Sequence, residues 1–412
     1  MDNSFFNLGI IRESRKDESR SPLAPKHIKE LKKLFPNINI NIQSSPNRCF
    51  NDEEFIKEGG IIKENLQDSN LILGVKEIDK DILMNDKRYL FFSHTSKIQS
   101  NNSEASQGTP GMDKKDLLKT ILKKNITLID YENLRDKNDS RYLGFGRFAG
   151  IVGCYNSLSL YDNFLNKKKL PRAIQLNDYS LLKDTLKNNH FSKMKILITG
   201  DGRVAKGVLE LLKFTNISQV SPKEFLKKNI DKPIFCNLKT SEYVASNSNS
   251  KFELKHFIKN PEKYFSITEE YLKITNLLIS AHYWDPFSPK IFELSNLHKF
   301  KDLKVIGDIT CDINGSIPTT LRSTTIENPY FYFNKDTYVE IKKSSSALAI
   351  MAVDNLPSEL PRDSSEEFGN SVVKEVLPYI INKDDGRIHN ATIVKNSKFL
   401  SKYSYLNNYI FN

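Results

Sequence analysis

Four apolar runs in the first third of the chain, "LGII" (8–11), "NLILGVKE" (70–77), "YLFFSH" (89–94) and "ITLIDYE" (126–132), constrain its folding more than any other feature. Each has the length of a strand and is apolar on both faces. Only a strand covered by helices on both sides buries such a run, and that is the arrangement of a parallel sheet. The intervening sequence supplies the helices. "APKHIKELKKLF" (24–35) is amphipathic, "NDEEFIKEG" opens with an asparagine cap ahead of acidic residues, and "KKDLLKTILKKN" repeats the helical spacing. "NININ" (37–41) reads as a further strand.

Three of these runs finish on or beside candidate site residues: Lys76, then His94 with Lys97 close behind, then Glu132. At the carboxyl edge of a parallel sheet such residues stand where ligands bind. A strand end fraying into a polar loop accounts for a lone histidine equally well. The segment "SNNSEASQGTPGM" (100–112) lacks periodicity and reads as a flexible loop inserted directly afterwards.

A length of 412 residues suits two domains, and 39% hydrophobic with 27% charged residues suits a globular chain. No apolar run approaches the ~18–20 residues of a membrane span, and the N-terminus lacks the pattern of a secretory signal. Cys49, Cys154, Cys236 and Cys311 show no paired spacing, so reduced thiols in a cytoplasmic protein are expected. The net charge is +11, but the lysines are dispersed and the longest block is Lys167–Lys169. That argues against nucleic acid as a partner and for attraction of small anions. Nothing in the pattern sets an oligomeric state.

A second unit begins after "RFAGIVGCYNSLSLYDNFL" (147–165), which predicts a long helix. "KMKILITGDGRVAKGVLELLKF" is a strand, a glycine turn and a helix. Gly200 permits the tight turn, Gly202 lets backbone N–H groups approach a pyrophosphate, and Ala205 allows close helix–strand packing. Arg203 and Val204 open the helix and belong to the same expected cofactor-binding set. Further strands are predicted in "PIFCNL" (233–238), "NLLISAHYW" (276–284) and "LKVIGDIT" (303–310). An NAD-specific site places a carboxylate at the end of the second strand, about 20 residues on. Here "ISQV" ends at Ser221, with Lys223 and Glu224 just beyond, so NADP is expected to be accepted alongside NAD.

The segments "ESRKDESRSPLAP", "GVKE", "FFSHTSKIQ", "LIDYE", "RYLGFGRFAG", "GDITCDINGSI" and "AVDNLPSELPRDSS" occur in the order found in lysine-forming saccharopine dehydrogenases. The same order resembles the lysine–ketoglutarate reductase domain of the bifunctional degradative enzyme, within a broader group that includes alanine dehydrogenase. The resemblance implies an α/β protein with two Rossmann-like, doubly wound parallel-sheet domains and an interdomain cleft. Residues 1–143 and 330–412 would form a discontinuous substrate domain, and 144–329 the dinucleotide-binding domain. "LPSELPRDSS" would mark the re-entry into the first domain.

The resemblance further implies small-molecule substrates: saccharopine, lysine and 2-oxoglutarate. Lys76 matches the family's base, and His94 a second acid–base group whose ordinary pKa of ~6.5 suits both roles. A lysine needs burial or nearby cations to act as a base at neutral pH, and Arg20 would be such a neighbour. Arg20 and Arg141 match positions that bind substrate carboxylates; Lys97 and Glu132 match residues of the same pocket. Asp312 is expected beside the nicotinamide and substrate, while Asp308 would cap the turn at the cofactor. The departures are the long 100–112 loop and the "SAHYWDPFSP" region around Trp284, which is closer to the reductase type. The competing readings are an alanine-dehydrogenase-like or opine-type enzyme using another 2-oxoacid, and a catalytically dead nucleotide-binding protein.

Overall fold

A computed structural model describes residues 5–96, 112–165, 170–227, 231–248 and 250–411. The chain divides into two compact units, Met1–Phe145 with Pro361–Asn412, and Gly146–Leu360.

The first unit is built on β1 (Phe6–Ile10), β2 (Ile38–Ile42), β3 (Ile61–Ile62), β4 (Leu71–Leu73), β5 (Arg88–Phe91) and β6 (Thr127–Asp130). Their order is β6-β5-β4-β1-β2-β3, all parallel. Two antiparallel strands of the C-terminal segment, Thr392–Lys395 and Lys398–Phe399, extend the sheet beyond β6. The period-2 alternation of a strand divides the side chains between two cores. Leu8, Ile10, Leu71, Leu73, Leu90 and Ile129 pack with Ile28, Leu31, Phe55, Phe368 and Val372 on one face. Ile72, Tyr89, Phe91 and Leu128 pack with Leu117, Leu118 and Ile121 on the other. Phe368 and Val372 belong to the helix Pro361–Glu375, so the last part of the chain is needed to close a core that the first part begins.

The second unit contains β7 (Lys195–Thr199), β8 (Ser218–Gln219), β9 (Ile234–Leu238), β10 (Leu277–Ser280), β11 (Val305–Asp308), β12 (Tyr330–Phe333), β13 (Glu340–Ile341) and β14 (Leu348–Met351). The order is β13-β12-β14-β11-β10-β7-β9-β8, parallel from β14 to β8 and antiparallel at β12 and β13. One sequence expectation is corrected here. Residues 330–351 complete this second sheet, because β12 pairs with β14 and β14 with β11. The return to the first unit falls at Pro361, inside the "LPSELPRDSS" segment read as the re-entry, and not at 330. The strand beside β7 is β9, with β8 one place further out.

The helix Gly146–Phe164 is buried on nearly every side and crosses the helix Arg203–Leu212 at close range. Glycine is needed at that crossing. A Cβ on Gly150 would come within 2.0 Å of the Val204 carbonyl oxygen, and one on Gly207 within 2.1 Å of the Arg147 carbonyl oxygen.

Candidate active site

In the first unit the ionisable groups gather just beyond the carboxyl ends of parallel strands, where the backbone ladder stops and side chains turn towards solvent and ligands. Glu13 follows β1, Lys76 and Glu77 follow β4, His94 follows β5, and Glu132 follows β6. Glu13 is partly buried and accepts the backbone N–H groups of Val75 (2.6 Å) and Lys76 (2.9 Å), which fixes the turn carrying the lysine. Burial and the neighbouring Glu18 push the Glu13 carboxyl up to about 8, against the pull of those two N–H bonds and of Arg20.

His94 is buried and adopts a left-handed backbone conformation, φ 51°. For a residue other than glycine that conformation costs about 1–2 kcal/mol, a cost that clusters at functional positions. Its Nδ1 lies 2.6 Å from Oε1 of the buried Glu77. Burial alone would raise the Glu77 carboxyl, but the charge and hydrogen bond of His94, with Lys76, bring it to about 2. The imidazole also stacks on Phe92, with ring centroids 6.2 Å apart.

Lys76 stands among carboxylates. Its charge helps to hold Asp17, Glu18 and Glu77 below the range that burial would impose. The cationic neighbour expected beside it, Arg20, is itself bound: Nε donates to Glu18 Oε1 at 2.7 Å and Nη2 to Glu18 Oε2, both side chains being buried. The Arg20 guanidinium carbon also lies 4.0 Å from the centre of the Phe145 ring. A second pair, Arg15 with Asp17, flanks it. Arg141 differs: it reaches Glu132 at 3.1 Å with a third of its side chain exposed. Beneath them Asp130 is fully buried; burial and the charge of Glu132 raise its carboxyl, opposed by bonds from Ser93 and the Glu132 N–H.

Arg20, Lys76, His94, Glu132 and Arg141 therefore all fall in the first unit, four of them within three residues of a strand end or paired to a residue that is. Lys97 and residues 100–111 of the expected loop lie outside the described residues. Sequence reasoning missed Glu13, Glu18, Glu77 and Asp130. Each sits inside a quoted motif; Glu18, Glu77 and Asp130 stand one or two residues from an expected site residue, whereas Glu13 carries no such local signal.

In the second unit the turn between β7 and the helix Arg203–Leu212 has the geometry of a phosphate cradle. Gly200 has φ +109°, and a Cβ there would meet the Ala281 carbonyl oxygen at 2.6 Å. Gly202 caps the helix, and nothing lies within 4 Å of where its Cβ would be, so the backbone is open to a ligand. These residues fit a dinucleotide pyrophosphate. Arg203 is exposed at the helix start, whereas Val204 packs against the core of its unit, so Val204 serves packing.

Asp308 is fully buried at the end of β11. It accepts Ser280 Oγ at 2.5 Å, Thr310 Oγ1 at 2.6 Å and Thr320 Oγ1 at 2.7 Å, which makes it the tie of the turn. Asp312 is half-buried beyond that turn, after Cys311 at φ 49°. Ser221 caps the short helix Pro222–Phe225 in a reciprocal box with Glu224, whose Oε2 accepts Ser221 Oγ at 2.7 Å. Ser221 was expected at the ribose as the residue ending the second strand in sequence; that strand lies two places from β7, with β9 between them.

Comparison with known proteins defines a class first. Residues 9–152 match the family described as alanine dehydrogenase/PNT, N-terminal domain. A solved L-alanine dehydrogenase superposes with a TM-score of 0.65 at 15% identity, covering 98% of this chain and 99% of its own. A transhydrogenase from Sinorhizobium meliloti gives 0.60 at 10% identity, covering 96% and 100%. The fold is thus the two-unit α/β fold of alanine dehydrogenase.

More particular are the sequence relatives. The mitochondrial alpha-aminoadipic semialdehyde synthase of Rattus norvegicus is 28% identical over 94% of this chain, and the match covers 46% of that protein. The NAD(+), L-lysine-forming saccharopine dehydrogenase of Candida glabrata is 26% identical over 90% of this chain and 91% of its own length. The chain spans about half the length of the mammalian synthases it matches. It is a homologue of lysine-forming saccharopine dehydrogenases and alpha-aminoadipic semialdehyde synthases. The saccharopine dehydrogenase and alanine dehydrogenase families depend on nicotinamide nucleotides. Among the described residues no helix is long and apolar enough to cross a membrane, and no group of three or more His, Cys, Asp or Glu side chains is placed to hold a metal ion.

Proposed function

We propose that the chain is a nicotinamide-dependent oxidoreductase that interconverts saccharopine with L-lysine and 2-oxoglutarate. The observation that carries this reading is the cluster of Lys76, Glu77 and His94 at adjoining strand ends, with Arg141 paired to Glu132 just beyond the next strand end. A bound nicotinamide dinucleotide would supply hydride to, or accept it from, the substrate carbon; Gly200, Gly202 and Arg203 are the residues to hold it.

The condensing direction joins the lysine side-chain amine to the oxoacid carbonyl, expels water to give an imine, and adds hydride and a proton to give the secondary amine. The protein must move protons at two places. Lys76, on the turn pinned by Glu13, would exchange the proton of the secondary amine. His94, oriented through Nδ1 by Glu77, would present Nε2 to the hydroxyl that forms and leaves as water. Arg141 would take a carboxylate of 2-oxoglutarate, for which a guanidinium fork is suited. Glu132 would receive the lysine amino group. Asp312 and Lys97 complete the proposed set. The binding and catalytic groups act on small molecules in this reading.

The second reading, an alanine-dehydrogenase-type reaction, is supported by the family match over residues 9–152. A substrate panel separates them. Lysine, ornithine and ammonia are each offered with 2-oxoglutarate and with pyruvate, and NADH and NADPH oxidation is followed. Turnover with lysine and 2-oxoglutarate supports the first reading; turnover confined to ammonia and pyruvate supports the second.

A further inference from the structure

We propose that Lys239, Thr240 and Ser241, with Lys251, form a subsite for the 2′-phosphate of an NADP-type dinucleotide. This rests on the dinucleotide reading of the glycine turn and says which nucleotide that turn serves.

The argument starts from strand order. In a doubly wound sheet the adenosine ribose of a dinucleotide lies over the end of the strand beside the glycine-turn strand. Here that strand is β9, although it comes third in sequence. Neighbouring strands are about 4.8 Å apart, so the end of β8 is displaced by about 10 Å from β7, too far for Ser221 to serve the ribose. The end of β9 is tied to the glycine turn. The Gly200 N–H donates to the Leu238 carbonyl at 2.9 Å, and Asn237 Nδ2 donates to the Gly200 carbonyl at 2.8 Å. The residues that follow this anchor are Lys239, Thr240 and Ser241.

These three residues and Asp201 of the glycine turn line one open cavity of about 570 Å³ together with Lys251 and Phe252. The place where an NAD-specific enzyme puts a repelling carboxylate is occupied by an ammonium and two hydroxyls. Glu242, the nearby acid, folds back so that its Oε2 accepts the Lys239 backbone N–H at 2.8 Å. Within the cavity two lysines face one carboxylate, Asp201. A phosphate dianion matches that balance, because lysine offers a point charge and hydroxyls offer hydrogen bonds. The half-buried Phe252 gives an apolar wall for the adenine ring.

The test is calorimetric titration of the whole chain with 2′,5′-ADP and with 5′-ADP, which reads binding without catalysis. The parent is expected to bind 2′,5′-ADP at least about tenfold more tightly, the size of one charge-assisted hydrogen bond. Lys239→Gln and Lys251→Gln are both exposed changes. Together they should remove most of that preference and leave 5′-ADP binding within about twofold. Ser221→Asp should leave the preference unchanged. A smaller preference in the parent overturns the proposal, as does a preference that survives the lysine changes or is abolished by Ser221→Asp. Failure of both nucleotides to bind overturns the dinucleotide reading of the glycine turn, and the subsite with it.

Discussion

Glu77 Oε1 and His94 Nδ1 are joined by a hydrogen bond of 2.6 Å that links the ends of two neighbouring parallel strands, β4 and β5. The carboxylate is buried and held at about 2, so it is ionised at every pH where the enzyme would work. It therefore fixes the imidazole tautomer with Nε2 as the working nitrogen, and it stabilises the imidazolium when that nitrogen takes a proton. Glu77→Gln keeps the hydrogen-bonding shape and removes the charge. The kcat should fall by ~10²–10⁴, the range for an acid–base imidazole that loses its orienting carboxylate, with KM changed little. A kcat equal to the parent's would deny Glu77 this positioning role.

Lys76→Met and His94→Gln should each lower kcat by ~10²–10⁴, the range for a lost acid–base group, with NAD(P)H binding unchanged. Fluorescence titration of the reduced cofactor and steady-state kinetics measure the two quantities separately. A variant turning over at the parent rate would lose its assigned role.

The two arginines should separate. Arg20 neutralises a buried partner, so Arg20→Ala removes the bidentate cation from the buried Glu18 carboxylate and should cost about 3–5 kcal/mol of stability. Arg141 is a third exposed, and Arg141→Ala should raise the KM for 2-oxoglutarate by the equivalent of ~1.5–3 kcal/mol with little change in Tm. Equal losses of Tm in both variants would remove the distinction.

Glu13 predicts a pH effect on folding. Its carboxyl is raised to about 8 in the folded chain from an ordinary 4.5, so the folded state holds a proton that the unfolded state has lost between those values. Its contribution is complete below about 4.5 and disappears as pH rises through about 8. The stability difference between the parent and Glu13→Gln should therefore fall by about 3–4 kcal/mol from pH 5 to pH 8. Denaturant unfolding at both pH values checks this, and a constant difference contradicts it.

Much of this was legible in the sequence because buried parallel strands leave a local mark. β1, β4, β5 and β6 fall within four residues of the bounds of their apolar runs, and Asn51 caps its helix as its spacing required, accepting the Glu54 N–H at 2.9 Å. The glycine turn was legible because Gly200 alone tolerates its φ of +109°. Strand order was not legible: nothing within "ISQV" or "PIFCNL" says which lies beside β7, since pairing is decided between distant segments. The bound at 330 failed for the same reason, because β12 and β14 join the second sheet through each other, whereas "LPSELPRDSS", read as the re-entry, contains Pro361. The carboxylate partners Glu13, Glu18 and Glu77 were passed over because a charge's partner is set by the fold, whereas the charge itself is read from the chain.

The central claim is that lysine and 2-oxoglutarate are joined by reduction at this site. Purified protein is incubated with L-lysine, 2-oxoglutarate and either NADH or NADPH, and the products are resolved by mass spectrometry. The account predicts one saccharopine formed for each reduced nucleotide consumed, and none with Lys76→Met beyond a trace. Nucleotide oxidation that yields no saccharopine, or that needs ammonia in place of lysine, would contradict it.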